Sequence, residues 1–211
     1  MTFLKKLFLI LIGGQDQKSA ATKLYGDVSD EALVAQIVAD NNTLMFGVLY
    51  DRYAKMVYNK CYGFAKSDDE AEDLTQDVFL MLFVKLASFK GRSKFSTWLY
   101  SFTYNFCVNY VNRNKQRKMS DKSVPVEQTE YKLTDDEVSD ESVYELKAER
   151  LEKALRLIPA EDKSILLLKY QDGASIKELM EVMQLGESAI KMRLKRAKAK
   201  LLEEYNTITD G

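Results

Sequence analysis

The chain has 211 residues, 46% of them hydrophobic and 30% charged, and its 31 basic and 32 acidic side chains leave a net charge of −1. That balance excludes wholesale disorder, and the length accommodates one ordinary domain or two small ones with a linker. The absence of histidine removes the commonest general base and the commonest zinc ligand together. Two prolines, nine glycines and apolar residues at helical rather than alternating spacing predict an all-α fold.

Residues 1–28 read as an N-terminal extension. Lys5 and Lys6 precede the apolar run from Leu7 to Ile12, which is far shorter than the roughly 20 residues a membrane-spanning helix needs. It resembles a truncated signal sequence without the small-residue cleavage pattern, so a greasy extension is expected rather than an anchor. A first helix is predicted over Asp30 to Asp40, capped by Ser29, with Leu33 and Ile37 inward. A second runs from Thr43 to Lys66, where Phe46, Leu49, Tyr50, Tyr53, Val57, Cys61 and Phe64 recur at helical spacing, and the pair should form an antiparallel hairpin. Ser67 and Glu70 have the spacing of a capping box for a third helix through Leu86, and Phe95 to Arg117 predicts a fourth. Cys61 and Cys107 fall within apolar helical patterns, as buried free thiols do, which suits a reducing cytoplasm.

Residues 29–118 thus form one helical domain. Residues 119–142, with Pro125 and many Asp, Glu, Ser and Thr residues, read as a flexible acidic linker. In the second domain, residues 143–211, helices are predicted at Val143 to Leu157, Pro159 to Tyr170, Ser175 to Met183 and Ser188 to Tyr205.

The near-zero net charge hides a pattern. From Gly91 to Lys118 there are six basic residues and no acidic one; Met119 to Glu145 carries nine acids and two bases; Gly186 to Lys200 carries six bases against Glu187 alone. Two electropositive surfaces separated by a solvated acidic segment are expected.

Three constellations carry the functional argument. Ser175 and Glu178 cap a short helix with Ile176, Leu179 and Val182 inward, the segment Gln184-Leu185-Gly186 breaks it, and a basic helix follows, which is a helix-turn-helix layout. In that last helix Ile190, Leu194, Ala197 and Leu201 form a narrow apolar stripe. Lys191, Arg193, Lys195, Arg196, Lys198 and Lys200 are therefore expected in solvent, against phosphates, with the helix start in a major groove. A solvated bundle helix would carry similar charges, and the capped helix and short turn before it favour DNA.

The second constellation is aromatic: Phe95, Trp98, Tyr100, Phe102, Tyr104, Phe106 and Tyr110 exceed what one helix face buries, so some should be exposed. They are bracketed by Lys90, Arg92 and Lys94 and by Arg113, Lys115, Arg117 and Lys118, a combination suited to stacking on unpaired bases beside a charged backbone. An aromatic core with a protein interface is the competing reading. In the third constellation, if Val78, Leu82 and Leu86 face the core, Leu80 and Val84 point outward beside Asp73, Gln76 and Asp77. An apolar patch with a carboxylate rim fits a protein partner bearing basic residues.

In order, these pieces resemble the sigma-70 family of bacterial RNA polymerase subunits in its small extracytoplasmic-function (ECF) form, over residues 29 to 205. Glu72-Asp73-Leu74-Thr75-Gln76-Asp77-Val78-Phe79 is similar to the family's core-binding segment, and Phe95-Ser96-Thr97-Trp98-Leu99-Tyr100 to its promoter-melting segment. Tyr170, Ser175, Glu178, Ile190, Lys191, Arg193, Leu194, Arg196, Ala197 and Leu201 match its C-terminal pattern.

The resemblance implies that Asp73, Gln76, Asp77, Leu80 and Val84 meet the clamp helices of the polymerase β′ subunit, with the β flap as a further contact. It implies that the loop Ser88 to Lys94, with Lys90, Arg92 and Lys94, together with Trp98, Asn105, Arg113, Lys115 and Arg117, holds the melted −10 element and a flipped base. It implies that Ser188, Lys191, Met192, Arg193, Lys195, Arg196 and Lys198 read the duplex −35 element, and that an anti-sigma factor is a partner.

Two departures stand out. Where the family usually has an Asp and an Arg after the Asn of the melting helix, this chain has Asn109 and Asn112, with Arg113 displaced by one; Ala189 and Met192 replace the small hydroxyl residues common in the recognition helix. Neither the middle domain nor the acidic N-terminal region of housekeeping sigma subunits is expected. No catalytic residue, metal, cofactor or small-molecule substrate is implied. The rivals are a stand-alone helix-turn-helix regulator that binds palindromic duplex without polymerase, and a magnesium-dependent nuclease using Asp73 and Asp77.

Overall fold

The computed structural model describes residues 24–120 and 147–208, and the described residues form helices and turns without a strand. In chain order the helices are α1 (Asp30–Asp40), α2 (Thr43–Tyr62), α3 (Asp68–Lys85), α4 (Phe95–Ser120), α5 (Ala148–Leu157), α6 (Ala160–Leu166), α7 (Ile176–Met183) and α8 (Glu187–Thr207). The expected all-α class holds. The extension before residue 24, the acidic linker over 121–146 and the expected helix start at Val143 lie outside the described residues. The described chain packs as two compact units that divide within α4, between Thr103 and Tyr104.

In the first unit, α1 starts as expected at Ser29, whose hydroxyl accepts from the Ala32 amide at 3.3 Å. It ends at Asn41, one of two non-glycine residues with positive φ (49°) among those described. The next residue, Asn42, caps α2 by accepting from the amides of Leu44 (3.1 Å) and Met45 (3.2 Å), so two asparagines reverse the chain. Leu33 and Ile37 of α1, Phe46, Leu49 and Val57 of α2, and Leu74, Val78 and Leu82 of α3 are buried together with Phe95 and Leu99. Phe46 meets the rings of Phe79 and Phe83 edge-on, with centroids 6.4 and 5.0 Å apart, so aromatic edges seal the α2–α3 contact.

The start of α1 ties the unit together. Asp30 accepts from Arg52 and from the Tyr53 hydroxyl, each at 2.5 Å, while the other Arg52 nitrogen donates to the Tyr25, Gly26 and Val28 carbonyls. Burial, then the hydrogen bond to Asp30, pushes the Tyr53 phenol far above its ordinary range. Glu31 accepts from the Phe95 amide at 3.1 Å and so caps the first turn of α4 from another helix.

Two boundaries differ from expectation. The second helix stops at Tyr62 rather than Lys66, because the Phe64 and Ala65 amides both turn back to the Cys61 carbonyl. At α3 the Ser67 hydroxyl accepts from Glu70 as expected, but the Glu70 carboxylate takes the Lys66 amide instead of that of Ser67, so the reciprocal half of the box is shifted by one residue.

In the second unit, Ala154, Ile158, Ile165, Leu168, Leu179, Ile190, Leu194, Ala197 and Leu201 are buried, and Tyr104 and Cys107 of α4 are buried as well. Both cysteines are free thiols, as expected. The helix predicted to reach Tyr170 stops as an α-helix at Leu166 and continues as a wider π turn over Leu167–Gln171. There the Asp172 amide bonds to the Leu167 carbonyl and Gly173 takes a positive φ of 69°. Pro159 stands just before α6 as its N-cap. Ser175 and Glu178 form the full capping box expected at α7, with Ser175 accepting from the Glu178 amide at 3.2 Å and Glu178 from the Ser175 amide at 2.9 Å.

Lys163 of α6 is buried. Loss of hydration, with Arg156 adding to it, pushes its ammonium down to about 8. Its folded value lies below the ordinary lysine value, so between about pH 8 and 10.5 the unfolded chain holds the extra proton, and stability must rise with pH across that window. Lys163→Met should abolish that part of the pH dependence and stabilise the unit at neutral pH by about 1–3 kcal/mol, read from paired denaturant titrations of wild type and variant. Ser175→Ala should cost about 1 kcal/mol by freeing one amide at the start of α7, and Ser175→Thr should restore most of it, measured by the same titrations.

Candidate functional site

The outer face of α3 is built by what the core does not take. Ala71, Leu74, Val78 and Leu82 are buried, which leaves Asp73 and Asp77 exposed, Gln76 and Leu80 half-buried, and Val84 72% exposed. The expected apolar patch with a carboxylate rim is there, extended by a residue that was not anticipated. Met81 is 42% exposed and lies four residues after Asp77 and three before Val84, so the i, i+4 spacing from Asp73 through Asp77 could have placed it. Partial burial, then the neighbouring Asp73 charge, raises the Asp77 carboxyl above its ordinary value. A basic group seated between the two carboxylates would relieve that repulsion.

The loop entering α4 carries a glycine with positive φ, Gly91 at 67°, flanked by the exposed side chains of Lys90 and Arg92, with Lys94 exposed beyond them. The Lys90 ammonium donates to the Ala87 carbonyl at 3.0 Å. A left-handed backbone at Gly91 brings three cations onto a short turn, and any side chain there would strain it.

The aromatic residues of α4 are less free than expected. Phe95 and Tyr104 are fully buried, and Trp98, Tyr100, Phe102, Phe106 and Tyr110 are half-buried. The rings cover one another: Trp98 stacks on Phe102 with centroids 5.5 Å apart and meets Phe89 at 5.4 Å. Phe89, within the expected loop Ser88 to Lys94, thus forms a ladder of three rings with Trp98 and Phe102. Tyr100 is held by its hydroxyl on the Met56 sulfur (3.0 Å) and by Lys60, whose ammonium lies 3.9 Å from the ring centroid. Farther along α4, Asn105, Asn109, Arg113, Lys115 and Arg117 are exposed. In the first unit Trp98 and Phe102 stand one turn apart on α4, and in the second Asn105, Asn109 and Arg113 follow one another at spacings of four, on one face of their stretch of the helix. Asn112, next to that face, instead donates to Glu161 at 2.7 Å.

In the second unit α7 and α8 have the helix-turn-helix form. Gln184, with a φ of 54°, ends α7; the Leu185 amide closes on the Met180 carbonyl at 3.2 Å, and Gly186 is the N-cap of α8, which begins at Glu187, one residue earlier than predicted. The predicted stripe of Ile190, Leu194, Ala197 and Leu201 is buried, with Tyr205 extending it, whereas in α7 only Leu179 is fully buried and Ile176 and Val182 are half-buried. Ser188, Lys191, Met192 and Arg196 are exposed, and Arg193, Lys195 and Lys198 are half-exposed. Lys191 pairs with Glu187 at 2.6 Å, and that hydrogen bond holds the Glu187 carboxyl below its ordinary value.

Lys200 departs from expectation. One residue before the buried Leu201, at the edge of the stripe, it turns inward to Asp162 at 2.5 Å and is taken up by that ion pair rather than by solvent.

Comparison with known proteins gives this geometry its context. The sigma-70 region 2 family model matches residues 49–117, and the sigma-70 region 4 family model matches residues 148–201. The chain is similar to the ECF RNA polymerase sigma factor SigW of Bacillus subtilis (strain 168), at 26% identity over 168 residues, covering 77% of this chain and 90% of the relative. It is also similar to the ECF RNA polymerase sigma factor SigM of Mycobacterium tuberculosis (strain ATCC 25618 / H37Rv), at 24% identity over 199 residues, covering 94% and 91%. Among solved structures, its fold is similar to that of CnrH in complex with the cytosolic domain of CnrY (TM-score 0.56, 20% identity, covering 85% of this chain and 99% of that one). It is likewise similar to the sigma factor RpoE in complex with the anti-sigma factor NepR from Bartonella quintana (TM-score 0.51, 21% identity, covering 76% and 96%). With region 2 and region 4 matched in that order, and ECF sigma factors among the relatives that the chain resembles over most of its length, the chain belongs to the sigma-70 family in its ECF form.

Proposed function

We propose that this chain is an ECF-type sigma factor that joins core RNA polymerase, directs it to specific promoters and initiates DNA melting. The observation that carries the reading is the presence on one chain of a region 2 match at 49–117 and a region 4 match at 148–201. A stand-alone helix-turn-helix regulator accounts for the second match alone. In this reading residues 29–118 are the polymerase- and −10-binding domain, 119–142 the acidic linker and 143–211 the −35-binding domain. The chain makes and breaks no bond of its own and works in the cytoplasm, beside polymerase and chromosome. Among the described residues no helix is long and apolar enough to cross a membrane.

The roles follow the surfaces. Asp73, Gln76, Asp77, Leu80 and Val84, with Met81 between them, form a mixed apolar and acidic face suited to the β′ clamp helices, where basic groups would meet the two carboxylates. Lys90, Arg92, Lys94, Asn105, Arg113, Lys115 and Arg117 hold the backbone of the −10 strand while Trp98 and its neighbouring rings stack on unpaired bases. Because these rings are half-buried against each other, they offer a preformed stacking edge and need little ordering when a base arrives. Ser188, Lys191, Met192, Arg193, Lys195, Arg196 and Lys198 face the −35 duplex, phosphate contacts setting register and side chains on the exposed face reading bases. The β flap and an anti-sigma factor complete the set of partners; one structural relative was captured in complex with an anti-sigma factor.

Co-purification with core polymerase tests the first contact: wild type should form a stable complex, and Asp77→Arg should lose it while keeping its helical circular dichroism. Failure of the folded wild-type chain to bind core polymerase would overturn the reading. For the duplex contact, replacing Lys195 and Arg196 together by alanine should lower the slope of log affinity against log salt by roughly two, at about 0.9 per lost phosphate contact, measured by holoenzyme binding to promoter DNA.

A further inference from the structure

The exposed face of α8 is not uniformly cationic. Met192 stands two residues after the buried Ile190 and two before the buried Leu194, so it projects almost directly away from the core stripe, and it is 48% exposed. Ala189, one turn earlier on the same side, is exposed as well. These two apolar side chains lie between Ser188, Lys191 and Arg196, on the outward face of the helix whose start follows the turn. Met192 is thus a large apolar side chain in the middle of a charged helix face, free of the core stripe.

We propose that Met192, assisted by Ala189, is a specificity-determining residue that reads thymine 5-methyl groups in the major groove. The inference rests on the reading of α8 as the helix that enters duplex DNA. The thioether has no strong donor or acceptor, so it cannot pair with the N7, O6, N6 or N4 atoms that distinguish the other base edges. Pressed against such an edge it would strip water from a polar group and return no hydrogen bond, which penalises those bases. The thymine methyl is the one apolar group that the major-groove edge of a natural base pair presents, so it both tolerates and rewards the contact. Lys191 is paired with Glu187 at 2.6 Å, and the exposed Arg196 stands at the border of the face, one turn after Met192. The recognition helix therefore reads shape and methyl groups at its centre and charge at its edges.

The test uses the full chain loaded on core polymerase and a library of duplexes randomised through the upstream promoter element. Sequencing the bound fraction should show a thymine, on either strand, enriched at one position or more. Replacing that thymine by deoxyuridine removes only the methyl group and should weaken binding about fourfold, the factor expected for about 0.8 kcal/mol from one buried methyl-sized group. In Met192→Ser the ratio of thymine to deoxyuridine affinity should fall to about one, and the library should select a different base at that position. If wild type selects a defined element but binds thymine and deoxyuridine duplexes equally, the Met192 assignment is wrong and the sigma reading stands. If the loaded chain selects no element at all, both fail.

Discussion

Two neighbouring carboxylates at the start of α1 hold the first unit in register. Asp30 gathers Arg52 and Tyr53 from α2, and Glu31 caps the first turn of α4. Each acid sits in a helix N-terminal turn, where the macrodipole already favours negative charge, and each finds its donor on a different element. Fixing α4 at Phe95 in turn fixes where Trp98 and Phe102 stand relative to Phe89 and the basic loop. The position of the aromatic ladder is thus set by a contact more than sixty residues away in sequence, and α1 is a structural tie rather than a passive first helix.

The same economy governs the functional faces. Each is what remains of a helix after the core has taken its stripe: α3 keeps Asp73, Asp77, Met81 and Val84, and α8 keeps Ser188, Lys191, Met192 and Arg196. A buried side chain of one helix therefore aims the exposed side chains beside it. This links stability to recognition directly, since a cavity at Val78 or Leu194 would let the helix rotate or shift and would displace a surface that it never touches.

Much of this was legible in the sequence because it rests on periodicity and local capping. The stripe from Ile190 to Leu201, the caps at Ser29 and Ser175 and the outward turn of Val84 follow from spacing alone. What stayed hidden depends on partners distant in the chain. Lys200 has the composition of a surface cation, yet it pairs with Asp162, thirty-eight residues earlier. The surplus of rings in α4 correctly implied that they could not all be buried on one face. It could not show that Phe89 would lie across Trp98 and leave the rings half-covered, because that packing depends on the loop before the helix. The π turn after Leu166 is a similar case: no proline or run of turn residues marks Leu167–Gln171, and the wider turn is visible only in its hydrogen bonds.

The ladder of Phe89, Trp98 and Phe102 has an optical consequence. Trp98 is the sole tryptophan of the chain, and it sits half-covered against Phe89, Phe95 and Phe102, none of which competes with it for absorption at long wavelength. Its emission reports the polarity and stacking of one place on the molecule without a label. Whatever slides against that ring, or parts it from Phe102, writes its arrival into the intrinsic fluorescence of the protein.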